Sequence, residues 1–248
     1  LHPVGPVLGG ELVFPFDDAK RTLRFYRDWS TSAPDELRAD ATLLSGPEGP
    51  ALAIIVCYSG SIETGEKVLR PLRKFGSAVV DTIAPAPYAR VQNLLTEVLT
   101  PGFLHYWKSG FFRSFSDEAI EGLVDFFAAA IPSPFAAVAI EHLGGAVARV
   151  GERETAFSHR RAEHSVLVLR AWRDTAESER NIAWGRACHG VVEPFLEQGV
   201  YVNYLGEEGE TRLRSAYGGN YQRLASLKQK YDPTNFFRQN QNILPGGK

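Results

Sequence analysis

The order of strand-like and helix-like segments constrains the fold more than any other feature of this sequence. In residues 7–83, runs of β-branched and aromatic residues alternate with segments whose apolar residues recur at helical spacing. Strands are predicted at 7–16, 36–44, 51–58 and 78–83, and helices at 19–29 and 62–75. A short Gly- and Pro-rich turn joins the two middle strands, which predicts an antiparallel hairpin. This β-α-β-β-α-β order is typical of a ferredoxin-like unit.

The same order of elements recurs in the second part of the chain. Strands are predicted at 103–115, 135–142, 165–172 and 200–204, and helices at 116–130 and 174–195. We therefore predict an α+β fold: one large antiparallel sheet, built from two ferredoxin-like (βαββαβ) units, with helices on one face. Two more helices, at 209–217 and 221–231, are expected to form a helical C-terminal appendage. In the tail after them, Asn235, Asn240 and Gln241 are expected to satisfy backbone groups.

Charge and hydrophobicity exclude some classes of partner. The net charge of −2, from 27 basic and 29 acidic side chains, argues against a nucleic-acid partner. No apolar run approaches the roughly 20 residues of a membrane span, so no membrane partner is predicted. The first residues show no signal-peptide pattern, which favours the cytoplasm without fixing the compartment. Because the sequence contains no Met, even at its start, we expect it to begin partway through a longer protein.

Cysteine and histidine usage predicts no metal site. Cys57 and Cys188 are too few for a disulfide framework or a cysteine zinc site, and we expect buried or half-buried thiols. His159 and His164 lie in a charged segment without a third ligand at a recognisable spacing, which favours a solvated loop. His142 is expected to be a structural histidine.

Three ordered motifs near the C-terminus carry a family resemblance: YVNY at 201–204, YGGNYQRL at 217–224 and KYDPTNFFRQNQNI at 230–243. Upstream, YWKS at 106–109, IEHLGG at 140–145 and TAFSHR at 155–160 fit the same pattern. Together they resemble the FAD-linked oxidases of the berberine-bridge-enzyme-like (vanillyl-alcohol-oxidase, or PCMH-type) superfamily. The resemblance covers most of the chain.

This resemblance implies two segments with different roles. Residues 1–205 would form the substrate-binding domain, and residues 206–248 the C-terminal segment that contacts FAD. The family's N-terminal FAD-binding domain, with its Gly-rich phosphate loop, has no counterpart here. We therefore expect a partner half that holds FAD, and a chain that alone neither retains FAD nor catalyses.

The resemblance also implies an activity for the intact protein. It would oxidise an alcohol or a sugar-like small molecule by hydride transfer to flavin N5, with reoxidation by O2 or another acceptor. The alternative, from a different functional class, is a non-catalytic domain that binds a ligand or a partner and no flavin.

Tyr204 and Glu141 are the candidate catalytic residues. The resemblance implies that Tyr204 takes the substrate's hydroxyl proton, for which a phenol of pKa about 10 needs a lowered pKa or a hydrogen-bonded relay. Strand alternation would place Tyr201 and Asn203 on one face and Tyr204 on the other. The alternative is simple aromatic packing in a sheet.

Glu141 lies in a strand of otherwise apolar residues, where a lone carboxylate is costly unless it is paired or at an open face. Either it serves as a base near the substrate, or it forms a salt bridge, to Arg149 or Lys108.

Substrate and cofactor contacts are assigned from the same motifs. Tyr201, Tyr106 and Lys108 are predicted to bind substrate. The alternative is that this strand belongs to the sheet core, with Trp107 buried in it and Lys108 reaching outward into solvent. The resemblance implies that Asn203, Tyr217, Asn220 and Tyr221 contact FAD, although Asn220 could instead cap a helix. Arg223 and Arg238 are expected to brace the FAD-binding domain.

Overall fold

The computed structural model describes residues 4–46, 49–94, 101–129, 135–206 and 208–246. Within these residues an eight-stranded sheet has the order β4-β1-β3-β2-β7-β8-β6, with β5 also paired to β1. All its strand pairs are antiparallel. The strands are β1 (Val7–Pro15), β2 (Leu37–Gly46), β3 (Gly49–Tyr58), β4 (Val80–Asp81), β5 (Ala84–Ala86), β6 (Leu104–Phe112), β7 (Ala136–His142) and β8 (His164–Trp172).

Six of the α-helices in the described ranges follow predicted segments, and two short ones, at residues 88–92 and 146–149, were not predicted. The helices are α1 (Ala19–Thr31), α2 (Ile62–Lys74), α3 (Tyr88–Gln92), α4 (Asp117–Ala129), α5 (Ala146–Arg149), α6 (Ser178–Val192), α7 (Glu210–Tyr217) and α8 (Tyr221–Tyr231). Short 3₁₀ helices lie at Phe16–Asp18, Thr175–Glu177, Glu193–Phe195, Val202–Tyr204 and Gly218–Asn220. No helix in the described ranges has the length and apolar character needed to cross a membrane.

The two faces of the sheet differ. The four longest helices, α1, α2, α4 and α6, pack on one face, here called the helix face, and bury the main core there. Alternating side chains of β1, β2, β3, β7 and β8 supply the sheet's share of this core. The opposite face, here called the open face, is covered near its ends: α3 reaches Gly9 of β1, and the 143–163 segment and the 202–204 turn lie near β7, β8 and β6.

One predicted strand is wrong, and it changes the second predicted unit. Residues 202–204 form a 3₁₀ turn, closed by a 2.9 Å hydrogen bond from the Tyr204 amide to the Tyr201 carbonyl, instead of a strand beside β6. A 3₁₀ turn brings positions i and i+3 to the same side, and the Tyr201 and Tyr204 rings meet edge to face at 5.1 Å. Strand alternation would have separated these rings, so the predicted placement of Tyr201 and Tyr204 on opposite faces is also wrong.

Other element boundaries differ in detail. The strand predicted at 78–83 is two short strands, β4 and β5, and the helix predicted at 174–195 is an α-helix flanked by two 3₁₀ turns. Parts of the predictions at residues 1–3, 47–48, 130 and 247–248 lie outside the described residues.

The predicted solvated loop around two histidines is also wrong. His164 is fully buried in β8, and His159 stacks on Phe111 at 4.6 Å. The Nε2 atom of His159 lies 3.2 and 3.1 Å from the carbonyls of Ser215 and Ala216. His164 therefore belongs to the packed interior and His159 is half-buried, so both imidazoles gain contacts that a loop in water would lack.

The tail is bonded to the preceding segment through a side-chain amide. Gln241 Nε2 donates to the carbonyls of Leu205 and Gly206 at 2.9 and 3.3 Å. Asn235 and Asn240 have φ angles of 55° and 58°, a left-handed conformation that asparagine tolerates better than most residues.

Candidate active site on the open face

The 202–204 turn brings Tyr204 to the carboxylate of Glu141. The phenol Oη donates to Glu141 Oε1 at 2.9 Å, across 63 positions of sequence. The Trp107 ring on β6 lies edge to face with Tyr204 at 5.9 Å. The two predicted catalytic residues therefore form one hydrogen-bonded pair at the open face, walled by aromatic rings.

The strand register gives Glu141 a charged neighbourhood. Asp40 of β2 is its direct cross-strand partner. Arg38 Nε lies 2.8 Å from Asp40 Oδ1, and Arg38 Nη2 lies 3.7 Å from Glu141 Oε1. Among the described residues, Arg38 is therefore the cation that forms an ion pair with Glu141.

The two salt-bridge partners considered for Glu141 are wrong. Arg149 pairs with Asp35, with one Nη1–Oδ1 distance of 2.8 Å. Lys108 Nζ lies 3.9 Å from Glu208. The reason is geometric: Lys108 pairs with Val168 of β8 in the register and so faces the helices, whereas Glu141 faces the other way.

Burial sets the protonation of the pair's hydroxyl. Loss of water, followed by the negative charge of Glu141, raises the pKa of Tyr204 well above that of a free phenol. Tyr204 is therefore a neutral hydrogen-bond donor at neutral pH. Burial also raises the pKa of Asp40 to about 6, against the opposing effect of Arg38.

Two cavities meet at Tyr204. The smaller, about 420 Å³, lies on the open face. Its walls are Arg38, Phe111, Glu141, Leu143, Val147, Phe157, Arg160, Ser165, Tyr201 and Tyr204. The larger, about 800 Å³, wraps around the edge of β6 and includes both Asn203 and Tyr204. Tyr204 thus stands between a small, mostly aromatic and aliphatic cavity and a larger polar one.

The predicted substrate-binding residues do not share one cavity. Tyr201 lines the smaller cavity beside Tyr204. Tyr106 and Lys108 line the larger one from the helix face, where Tyr106 Oη accepts a 3.4 Å hydrogen bond from Arg186 Nε. Trp107 lies on the opposite side of β6, beside Tyr204, rather than in the main core. The period-two alternation of β6 separates these neighbours in sequence.

Of the predicted cofactor contacts, Asn203 alone lines either cavity within the described residues. It is exposed, and its Nδ2 donates to Tyr201 Oη at 2.9 Å. Tyr217, Asn220 and Tyr221 belong to the C-terminal helical segment, where Tyr221 and Asn220 are buried.

The amide of Asn220 is used within the chain. Its Nδ2 donates to the carbonyls of Glu152 and Thr155 at 2.6 and 3.0 Å, and its side chain does not cap α8. Arg223 similarly donates to the carbonyl of Arg153 at 3.1 Å. These residues fasten the C-terminal helices to the 143–163 segment.

Sequence reasoning missed Arg38 and Asp40. The signal was present in the segment ELRADATLL, where charged residues alternate with apolar ones. Such alternation predicts a strand with one polar face. The sequence does not indicate that β2 pairs with β7, and this pairing joins the two halves of the sheet.

Comparison with known proteins shows which family these features resemble. The family model described as "Berberine and berberine like" matches residues 200–244. An FAD-linked oxidoreductase of Dictyostelium discoideum is 28% identical over 249 residues, covering 99% of this chain and 53% of the relative. The chain thus spans about half the length of the curated relatives that match it almost end to end.

Two solved structures share the fold. Aclacinomycin oxidoreductase superposes with a TM-score of 0.81 at 20% identity, over 98% of this chain and 56% of that one. 6-Hydroxy-D-nicotine oxidase from Arthrobacter nicotinovorans gives a TM-score of 0.81 at 22% identity, over 96% and 55%. With its matched C-terminal segment, its relatives along nearly the whole sequence and its antiparallel sheet, the chain is similar over most of its length to the berberine-bridge-enzyme-like FAD-linked oxidoreductases.

Proposed function

We propose that this chain forms the substrate side of the active site in an FAD-linked oxidoreductase that oxidises an alcohol or a sugar-like small molecule. Residues 1–205 would shape the substrate cavity, residues 206–248 would contact FAD, and further protein outside this sequence would hold most of the cofactor. The coverage of about half the length of the relatives that match the chain almost end to end supports this division.

The residues around Tyr204 suit a flat, polar ring system such as that of FAD. In the described part of the chain, the buried Nε1–H of Trp107 has no hydrogen-bond partner. Asn203 presents an amide at the mouth of the 800 Å³ cavity. An unused donor and an amide beside aromatic rings fit a heteroaromatic cofactor edge. We therefore propose that Trp107 and Asn203 contact FAD in addition to residues 206–248.

Bound FAD supplies an acceptor for the hydride that leaves the substrate carbon, and O2 or another acceptor then removes the two electrons. The alcohol must also lose its hydroxyl proton. A substrate hydroxyl in the 420 Å³ cavity would donate to Tyr204 Oη, whose own proton already points to Glu141. Tyr204 would take the substrate proton and pass its own proton to Glu141. Because the pKa of Tyr204 is raised, a neutral relay suits the site better than a phenolate base.

The observation that carries this proposal is the 2.9 Å hydrogen bond between Tyr204 and Glu141 at the junction of two cavities. A tyrosine that merely packed in a sheet would need neither the carboxylate nor access to open space.

The test is Tyr204→Phe in the intact, FAD-containing protein. We expect flavin content to be unchanged and anaerobic flavin reduction by a turnover substrate to slow by roughly 10²- to 10⁴-fold, the usual contribution of a positioned acid–base group. Substrates would first be found by screening sugars and other alcohols for bleaching of the flavin absorbance.

Tyr58→Phe is the matched control, because Tyr58 lies in the helix-face core of β3. It should leave flavin reduction unchanged. Equal reduction rates in Tyr204→Phe and wild type would rule out the relay. An intact protein that binds no flavin would favour the alternative of a non-catalytic binding domain.

A further inference from the structure

Two arginines, Arg38 and Arg160, line the 420 Å³ cavity, and within the described residues Glu141 is the acidic side chain in its walls. Arg38 is engaged by carboxylates: its Nε lies 2.8 Å from Asp40 Oδ1, and its Nη2 lies 3.7 Å from Glu141 Oε1. Glu141 also accepts the 2.9 Å hydrogen bond from Tyr204. The charges of Arg38 and Glu141 are therefore compensated within the protein.

Arg160 forms no ion pair within the part of the chain that the structure describes. Its Nε and Nη1 donate to the carbonyls of Phe157 and Val147 at 3.2 and 3.0 Å, and its Nη2 donates to Thr155 Oγ1. All three acceptors are neutral. Arg160 therefore brings an uncompensated positive charge to the cavity, and its guanidinium has more N–H groups than these three bonds use.

The other walls of the cavity are rich in aromatic rings. The guanidinium carbon of Arg160 lies 4.8 Å from the centroid of the Phe157 ring, so the charge is stacked on one wall. Phe157 meets Phe111 at 5.9 Å and Tyr201 at 6.2 Å, both edge to face. A flat ring bound among these walls can make further edge-to-face and stacked contacts, which favours an aromatic ligand.

We propose that the substrate is an aromatic alcohol that also carries a carboxylate, with the carboxylate bound by Arg160 and the hydroxyl by Tyr204. This inference rests on the proposed function, because it names the substrate class of the same cavity. Two backbone carbonyls and the Phe157 ring hold the guanidinium in place before a ligand arrives, which lowers the entropic cost of binding. A carboxylate then gains a charge-assisted hydrogen bond that a neutral group of the same shape does not.

The experiment is equilibrium binding to the intact, FAD-containing protein, followed by the change in flavin absorbance. The probes are p-toluate and p-toluamide, which have nearly the same shape, differ in charge and contain no alcohol. We expect wild type to bind p-toluate about 10- to 100-fold more tightly than p-toluamide, the usual contribution of a hydrogen bond to a charged group. Equal affinities, or a preference for p-toluamide, overturn the inference.

Variants of Arg160 assign the preference to its charge. Arg160→Gln should weaken binding of p-toluate by about tenfold or more and leave p-toluamide almost unchanged. Arg161→Gln is the matched control, because the Nε of this neighbouring arginine lies 2.9 Å from Glu152 and its side chain lines neither cavity. It should leave both affinities unchanged.

The pair of probes also separates recognition from structural damage, since Arg160 helps to hold the 143–163 segment. Damage to the segment would weaken both probes by the same factor, and that outcome overturns the inference, as does a preference for p-toluate that persists in Arg160→Gln. If Arg160→Gln does not fold, Arg160→Lys decides: it retains the charge and should retain a preference for p-toluate, and loss of that preference overturns the inference.

The aromatic part of the inference has its own probe. Methylcyclohexanecarboxylate carries the same charge without an aromatic ring, and it should bind a few-fold more weakly than p-toluate. Equal binding of these two carboxylates would overturn the assignment of an aromatic substrate.

Flavin reduction gives a second measurement and separates this inference from the proposed function. In wild type, p-(hydroxymethyl)benzoate should half-saturate the reduction rate at a concentration about tenfold lower than p-(hydroxymethyl)benzamide does. Because the toluate probes bind without turnover, equal probe affinities overturn the anionic substrate while the Tyr204 relay stands. Undiminished flavin reduction in Tyr204→Phe overturns the relay while the assignment of Arg160 stands.

Discussion

Two tyrosines approach the same strand pair from opposite faces of the sheet. Tyr26 reaches it from α1, fully buried, and its Oη lies 3.0 and 2.9 Å from the carbonyls of Ala39 and Ile140. Tyr204 reaches it from the open face and donates to Glu141, the residue after Ile140.

Burial is the largest cause of a raised pKa in both tyrosines. A shifted pKa therefore does not distinguish a structural tyrosine from a catalytic one. What separates them is access: Tyr204 borders two cavities, whereas the helices seal Tyr26 in the core. Substitutions on the helix face should therefore mainly change the free energy of unfolding. Substitutions on the open face should also change the rate of flavin reduction.

The largest effect that we expect is on the helix face, where His164 should make the free energy of unfolding depend on pH. This buried imidazole has its pKa lowered to about 3, first by burial and then by the nearby His142. The unfolded chain binds a proton below about pH 6.5, and the folded chain does not until about pH 3, so stability falls as the pH drops between these values. The loss attributable to His164 approaches roughly 5 kcal/mol at the acid end.

Urea unfolding at several pH values from 7 to 3.5 measures this effect. His164→Phe keeps a ring beside Tyr26 and Phe115 but cannot be protonated, so its stability should depend less on pH. His105→Gln, at an exposed position of β6, is the control and should behave as wild type. Parallel pH curves for wild type and His164→Phe would contradict the assignment.

Local patterns made the helix face largely predictable. Helical spacing in α1 and α2 and period-two alternation in β3 are properties of neighbouring residues, so the sequence contains them directly. The antiparallel sheet and its helices followed from their order. Tyr204 and Glu141 were predicted as catalytic residues with the help of a family resemblance. The spacing of residues in the sequence does not predict the hydrogen bond between them.

The open face depends on contacts that the sequence does not encode locally. Residues 200–204 alternate as a strand would, yet ring packing between Tyr201 and Tyr204 favours a 3₁₀ turn. Arg38 meets Glu141 only because β2 and β7, about 100 residues apart, are neighbours. Such pairings depend on how the two halves of the sheet join, which no window of sequence contains.

A smaller effect, of opposite sign, is expected from Asp40 on the open face. Its pKa in the folded chain is raised to about 6, so it keeps a proton that the unfolded chain has already lost above about pH 4. Stability attributable to Asp40 should therefore fall as the pH rises from about 4 to 6, by roughly 2 to 3 kcal/mol. Across this range Asp40 and His164 oppose each other.

The measurement is again urea unfolding, comparing Asp40→Asn with wild type at pH 4, 5, 6 and 7. The difference in free energy of unfolding between the two proteins should change across pH 4 to 6 and level off above it. Asp35→Asn, at an exposed ion pair, is the control. A constant difference at all four pH values would mean that Asp40 is ionised normally.

The smallest effect provides the sharpest contrast between the two faces. Tyr26→Phe removes a buried hydroxyl from two backbone carbonyls and should lower the free energy of unfolding by about 1 to 2 kcal/mol. Because Tyr26 touches neither cavity, flavin reduction in the intact protein should be unchanged. Tyr204→Phe removes a hydrogen bond to a carboxylate and should lower the free energy of unfolding by about 1.5 to 3 kcal/mol, but it should also slow flavin reduction, which Tyr26→Phe should not. Urea midpoints and reduction rates for both variants complete the comparison. If Tyr26→Phe slowed reduction as much as Tyr204→Phe, the sheet would be transmitting core changes to the site, and the two faces could not be treated as independent.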